Sequence, residues 1–416
     1  MTTTGTGAPT SAPGPRERAE ALRPDLEDLY RDLHAHPELS FQEERTAALA
    51  EEHLAALGYE THRVGGGVVG LLRRGDGPTV LLRADMDALP VREDTGLPYA
   101  STATATTADG ETVPVMHACG HDVHVTALLG AARLLAEVPT WHGTLELVLQ
   151  PAEELGAGAR AMLDDGLAGH LPAPDVALAQ HVLGVTPAGT VVLRPGPVLS
   201  TAAALRVTVH GVGTHGSMPH LGVDPVVTAA AIVLRLQGLV SRETAPGEFA
   251  VVTVGAIHTG TTANTVPESV ELLVSVRAYS GRVRERLLAG IRRVVTAERE
   301  AAGCPVPPDL ELTTSFPLTT NDAAATDRAA AALIDALGAD KVGTLEPQTA
   351  SEDFSLIPTA LGAPYVYWGL GGFTDPEAVR PNHSPQFAPA IEPTLVTGTT
   401  ALAATALAWL AAPADG

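Results

Sequence analysis

The chain has 416 residues, 45% hydrophobic and 18% charged, which describes a globular protein long enough for two domains. Its formal net charge of −22 repels polyanions and anionic lipid, so nucleic acid and membrane are set aside as partners and a small molecule or peptide is favoured. Two cysteines, Cys119 and Cys304, are too few for a disulfide framework, and no apolar signal segment opens the chain; both point to the cytoplasm.

Residues 1–20, rich in Thr, Gly and Pro, read as a disordered leader. From there to Gly58, DLEDLYRDLHAHPEL and ERTAALAEEHLAALG carry apolar residues at helical spacing. Two β-branched runs follow, VVGLLRR and PTVLLRA, joined by the turn Gly75-Asp76-Gly77. Residues 65–70, GGGVVG, match the G-x-G-x-x-G of dinucleotide sites, but they lead into a strand where a pyrophosphate needs a helix N-terminus. After Gly120 come a helix (VHVTALLGAARLLAEV), a strand (GTLELVLQ), a helix (ARAMLDDGLA) and a strand (PDVALAQHV). This alternation predicts an α/β fold, a mostly parallel or mixed sheet flanked by helices.

The pattern changes after Pro195-Gly196-Pro197. A strand over 202–210, a long helix from Asp224, the strands EFAVVTVGAI and SVELLVSVRAYS, the helix RVRERLLAGIRRVVTAERE and the strand PDLELTTS follow in turn. That β-α-β-β-α-β order predicts an inserted α+β domain over residues 199–314, with residues 21–198 and 315–416 forming the first domain. The chain returns to the first domain through DRAAAALIDALG, APYVYWGLGG and the apolar run LVTGTTALAATALAWLAAPA. Threonines and glycines interrupt that run and no basic residues flank it, so it reads as a buried helix and not a membrane span.

Chemistry gathers where predicted strands end. PTVLLRA runs into Asp85-Met86-Asp87, GTLELVLQ into Pro151-Ala152-Glu153-Glu154, and PDVALAQ into His181; APYVYWGLGG is followed after a loop by His383. In open α/β sheets ligands bind outside the carboxyl ends of strands, so these residues are expected to meet the segment MHACGHDVH, residues 116–124. A thiol, imidazoles and carboxylates together are the ligand types zinc accepts. Taken singly each has an ordinary reading. Cys119 could be a nucleophile, a ligand or a small buried side chain, His181 a satisfied core histidine, and Glu153-Glu154 a solvated first helical turn. Two adjacent acids after a buried strand, however, repel unless a cation sits between them.

RADMDALP (83–90), MHACGHDVH, QPAEELGAGA (150–159), AQHV, GVGTHGSMPH (211–220), TTANTVP (261–267), SEDF (351–354) and NHSP occur in that order. This series resembles the two-zinc aminoacylase and carboxypeptidase family, and within it the amidohydrolase branch that includes hippurate hydrolase, N-acyl-amino-acid aminoacylases and plant auxin-conjugate hydrolases. The resemblance spans residues 25–412. It implies Cys119, His121, Glu154, His181 and His383 as ligands of two divalent ions, with Cys119 bridging. Zinc comes first, with manganese and cobalt as the other candidates. It implies Glu153 as the general base and Asp87 as an orienting acid behind the ligands, and gives Asp85 no role. In the inserted domain it implies His215 as an oxyanion donor to the neighbouring subunit of a homodimer, and Asn264 and Arg277 as binders of the substrate carboxylate. His34, His36, His124 and His220 are read as structural.

The expected activity is hydrolysis of the amide bond of an N-acyl amino acid. The alternatives are a metallo-carboxypeptidase or dipeptidase acting on small peptides, a hydrolase with Cys119 as nucleophile, and a non-catalytic binding module.

Overall fold

A computed structural model describes residues 13–375, 377 and 379–411. The chain divides into two units, one holding the chain up to Pro195 with Asn321–Leu345 and everything from Ile357, the other holding Gly196–Thr320 and Glu346–Leu356.

The first unit is built on an eight-stranded mixed sheet. Its strand order is Glu60–Val64, Gly67–Arg74, Gly143–Gln150, Thr79–Asp85, Val176–Pro187, Tyr365–Phe373, Val191–Leu193, Val342–Thr344. Thr79–Asp85 lies between parallel neighbours and is buried along its whole length, which is why Val80, Leu81 and Leu82 run on without alternation and the buried charges Arg83 and Asp85 pair with each other. Helices His121–Glu137 and Ile391–Leu410 pack with these strands in one core that includes Val80, Leu82, Leu147, Leu178 and Trp368. A methyl group on Gly130 would sit 2.6 Å from Leu26 Cδ2 and 2.9 Å from Thr399 Oγ1. The small residues of the C-terminal run therefore serve close helix packing inside the core.

Gly65 and Gly66 (φ +55° and +87°) turn the antiparallel hairpin between Glu60–Val64 and Gly67–Arg74, so GGGVVG is a strand turn with no helix behind it. Three expectations need correction. The leader reading of residues 1–20 fails from Pro15, because Pro15–Ala21 is a helix started by proline and anchored by the fully buried Ala19; residues 1–12 lie outside the described part. The helix expected over ARAMLDDGLA is split by Gly166 (φ +90°) into Gly158–Asp164 and Leu167–His170. His181 does not end its strand: pairing with Tyr365–Phe373 carries that strand on to Pro187.

The second unit is a four-stranded antiparallel sheet ordered Ala250–His258, Ser269–Ala278, Thr201–His210, Asp309–Phe316. Ala203, Leu205, Val207 and Val209 alternate with less buried residues along their strand and pack with Ile232, Leu236, Ile291 and Val295 of the helices Pro225–Glu243 and Gly281–Ala301. Asp224 caps the first of these helices by accepting the Val226 amide at 2.8 Å. The unit exceeds the expected 199–314 because it runs over Gly196–Thr320 and Glu346–Leu356 joins it. Hydrogen bonds dock that segment: Ser200 N donates to Ala350 O (2.9 Å), Arg277 Nη1 to Thr349 O (2.6 Å) and Tyr279 Oη to Pro347 O (2.9 Å). Contacts of side chain to distant backbone leave no periodicity to read.

Candidate active site and metal centre

The first unit gathers the predicted acids and imidazoles. Asp87, just past the Thr79–Asp85 strand, is buried and accepts four hydrogen bonds: from Ser40 Oγ (2.6 Å), the amides of Glu153 and Glu154 (3.1 Å each) and His121 Nδ1 (3.2 Å). Burial opposes its charge, but the bonds from His121 and Ser40 outweigh burial and hold its pKa below the ordinary carboxylate value. The peptide before the acid pair is held as well. Ala152, at φ +47°, donates its amide to Glu43 Oε1 at 2.8 Å. Burial, then the charge of Asp87, push Glu43 up to about 7.

Gly120 (φ +84°) turns the chain between Cys119 and the helix that begins at His121. A Cβ there would lie 2.3 Å from Val182 Cγ1, beside His181, so only glycine fits. His121 Nδ1 donates to the Asp87 carbonyl (2.8 Å) and His181 Nδ1 to the Val182 carbonyl (2.8 Å), which leaves Nε2 as the free nitrogen of each ring. Burial, then His124, keep the His181 pKa well below its ordinary value, favouring the neutral ring a cation needs.

His124 has no nitrogen to spare, since Nδ1 is bonded to Asp85 and Nε2 accepts the Val182 amide. Asp85 also takes Arg83 Nη1 at 2.7 Å. It is a buried anchor for His124, 3.7 Å from His121 Nε2. Behind the helix start, His34 bonds Asp122 (2.7 Å) and Glu93 (3.1 Å). Burial alone would lower the His34 pKa, but these two carboxylates outweigh it and push it up to about 10.

Donor atoms converge in overlapping groups: Cys119 with Glu154 and His383, His121 with Glu153 and Glu154, and Asp85 with His121, His124 and His181. Cys119 Sγ lies 3.5 Å from His181 Nε2, and Glu154 Oε2 lies 3.4 Å from His383 Nε2. His121 Nε2 and Glu154 Oε1 stand 3.9 Å apart, both buried and without a hydrogen-bond partner among the described residues. Burial opposes a charge on His121, but Asp85 and then Asp87 outweigh it and hold its pKa well above the ordinary value, so Nε2 carries a proton that a cation would displace. A buried imidazole nitrogen and a carboxylate oxygen this close and unbonded are costly unless a shared cation satisfies both, so the residues present fit a metal. His383, pushed up to about 10 by the Cys119 thiol and the Glu154 carboxylate, reports the same negative potential. Burial, then Glu154, raise the Cys119 thiol, which makes it a poor free nucleophile.

His215, Asn264 and Arg277 belong to the second unit. His215 pairs with Thr265 in a short two-stranded ladder, and the Gly216 amide donates to the Asn264 carbonyl at 2.6 Å. His215 is exposed. Its Nδ1 accepts the Ser217 amide at 3.2 Å, so the neutral ring carries its proton on Nε2. Arg277 is half-buried and directs Nη1 to Thr349 O and, at 3.0 Å, to Ser351 Oγ. The sequence reading missed Ser40 and Glu43. Both lie in PELSFQE, between two helices, an ordinary polar linker with no local signal of a partner far along the chain.

The profile of Peptidase family M20/M25/M40 matches residues 81–408. The chain belongs to that family. It is a hydrolase of amide bonds. It is similar to N-acetyl-L-cysteine deacetylase of Bacillus subtilis, with 34% identity over 360 residues covering 85% of this chain and 82% of that protein. Thermostable carboxypeptidase 1 of Saccharolobus solfataricus is 34% identical over 367 residues, covering 86% and 89%. Among solved structures, a dinuclear metal-binding peptidase of family M20 from Bacillus subtilis superposes with a TM-score of 0.76 at 28% identity, covering 93% of this chain and 98% of that one.

Proposed function

We propose that this enzyme is a metal-dependent amidohydrolase that cleaves the amide bond of N-acyl amino acids. The observation that carries the metal is the pair His121 Nε2 and Glu154 Oε1, buried, adjacent and without a hydrogen-bond partner among the described residues. Cys119, His121, Glu154, His181 and His383 would hold two divalent ions, zinc before manganese or cobalt given the thiol and imidazole content. When bound, such ions polarise the scissile carbonyl and lower the pKa of an attacking water toward ~7.

The remaining work falls to the chain's own groups. Glu153 takes a proton from the attacking water and returns it to the leaving nitrogen, which departs as an amine while the acyl group leaves as a carboxylic acid. Asp87 holds the amides of Glu153 and Glu154 and orients the His121 ring. Arg277 and Asn264 bind the substrate carboxylate, and His215 Nε2–H stabilises the tetrahedral oxyanion for the neighbouring copy of a homodimer. In support of that homodimer, helix Pro225–Glu243 leaves Val227 and Leu234 66% and 76% exposed. Both cysteines are free and buried, in keeping with a reducing, cytoplasmic setting.

The similarity to a carboxypeptidase supports a second reading, cleavage of small peptides. Protein loaded with Zn²⁺, Mn²⁺ or Co²⁺ and assayed on N-acetyl and N-benzoyl amino acids beside dipeptides separates the two. Turnover concentrated on the acyl amino acids is the expected result, and preference for dipeptides selects the second reading. Full activity after exhaustive chelation, lost on thiol alkylation, would instead make Cys119 the nucleophile.

A further inference from the structure

We infer that Glu43 is a positioning residue for Glu153: its carboxyl holds the Ala152 peptide in the left-handed conformation that aims Glu153, while Asp87 keeps hold of the Glu154 amide. The inference rests on Glu153 being the general base. Ala152 is one of three residues other than glycine with positive φ among the described residues, a conformation disfavoured by its Cβ. Something must hold it there. The amides of residues 152, 153 and 154 each end on a buried carboxylate oxygen: Glu43 Oε1 (2.8 Å), Asp87 Oδ1 (3.1 Å) and Asp87 Oδ2 (3.1 Å).

The carbonyl side of the loop closes on itself. Gly156 N donates to Glu153 O (2.7 Å) and Gly158 N to Ala152 O (3.1 Å), while a Cβ on Gly158 would fall 1.5 Å from Pro151 O. Asp87 belongs to the sheet end that carries the site. Glu43 reaches the loop from elsewhere, 109 residues earlier in the chain, and is 3% exposed. A carboxyl in so buried a place is costly compared with an apolar side chain, unless an acceptor is needed there. The acceptor sits on the peptide immediately before the proposed base. Its loss would free Ala152 to relax toward negative φ and swing Glu153 away from its target.

The test compares Glu43→Ala, which removes the acceptor, with Glu43→Gln, which keeps one. Glu43→Ala is expected to lose about 10- to 100-fold in kcat, as misplacement by about 1 Å does, with KM and bound metal within about twofold of wild type. Deuterium uptake in the peptide spanning residues 151–158 should rise in Glu43→Ala and not in Glu43→Gln, which should also keep kcat within about threefold. Adding Ala152→Gly to Glu43→Ala should restore part of kcat, because glycine takes positive φ freely. Should Glu43→Ala fail to fold, Glu43→Met fills the space without an acceptor and takes its place. Wild-type kcat in the variant without an acceptor, equal losses in both variants, or metal loss parallel to kcat would each overturn the inference. Glu153→Gln assayed in parallel separates the two claims: full turnover there defeats the general base itself, whereas an inactive Glu153→Gln beside an intact Glu43→Ala defeats only the positioning role.

Discussion

The strand-end acids of the first unit and the His215 hairpin of the second solve the same problem, fixing a side chain proposed to act in catalysis, by opposite means. Around Asp87, His121 and Glu153 are buried and Ser40 and Glu154 half-buried, and all four share one carboxylate. His215 is exposed and is steadied by its neighbour Ser217 and a two-residue ladder. In the first region the contacts proposed to serve catalysis are also folding contacts. In the second they are separable.

Glu153→Gln tests the reading with the largest effect. It should cost about 10³- to 10⁴-fold in kcat while metal content, measured by atomic emission, stays at the wild-type ratio. Normal turnover would remove the base assignment. A pair of alanine variants then tests the contrast itself. His215→Ala should lose about 10²-fold in kcat with an unchanged melting temperature, as removal of one oxyanion donor does. Asp87→Ala should lose at least as much and also melt several degrees lower, since it leaves buried amides without acceptors. If both variants keep their melting temperature, the contrast is wrong.

Glu146 provides a third case, with the smallest effect on turnover. It sits in the middle of the Gly143–Gln150 strand, fully buried, and both its oxygens lack a partner among the described residues. Burial pushes its pKa up to about 8. The folded state then keeps a proton that the unfolded chain, ionising near 4.5, has released, so stability declines as pH rises from about 4.5 to 8. Glu146→Gln should remove that decline, gaining a few kcal/mol (about 1–3) at pH 8 in urea melts, with kcat unchanged. Equal slopes of stability against pH in the two proteins would mean that Glu146 is hydrated or paired in solution.

The parts of the molecule that repeat a period were legible. The β-α-β-β-α-β insertion follows from alternating and helical spacing, because each strand there has one face on a core. Sheet order in the first unit was not, since short strands such as Val191–Leu193 and Val342–Thr344 take their places by pairing with distant partners. The candidate site divides the same way. Cys119, His121, Glu153, Glu154, His181 and His383 stood out through the ordered motifs that resemble the family, since each taken singly has an ordinary reading. Ser40 and Glu43 did not, because each acts on a partner far along the chain, and nothing local in PELSFQE betrays that reach.

The placement of those two residues bears on how the enzyme can be cut down. The stretch that matches the family profile begins at residue 81. His34, Ser40 and Glu43, which grip Asp122, Asp87 and Ala152, all precede it. A fragment trimmed to the profile would carry every proposed ligand and the proposed base, yet lack the scaffold that holds them in register. For expression or grafting, the smallest unit able to work therefore starts no later than the helix Arg23–Ala35.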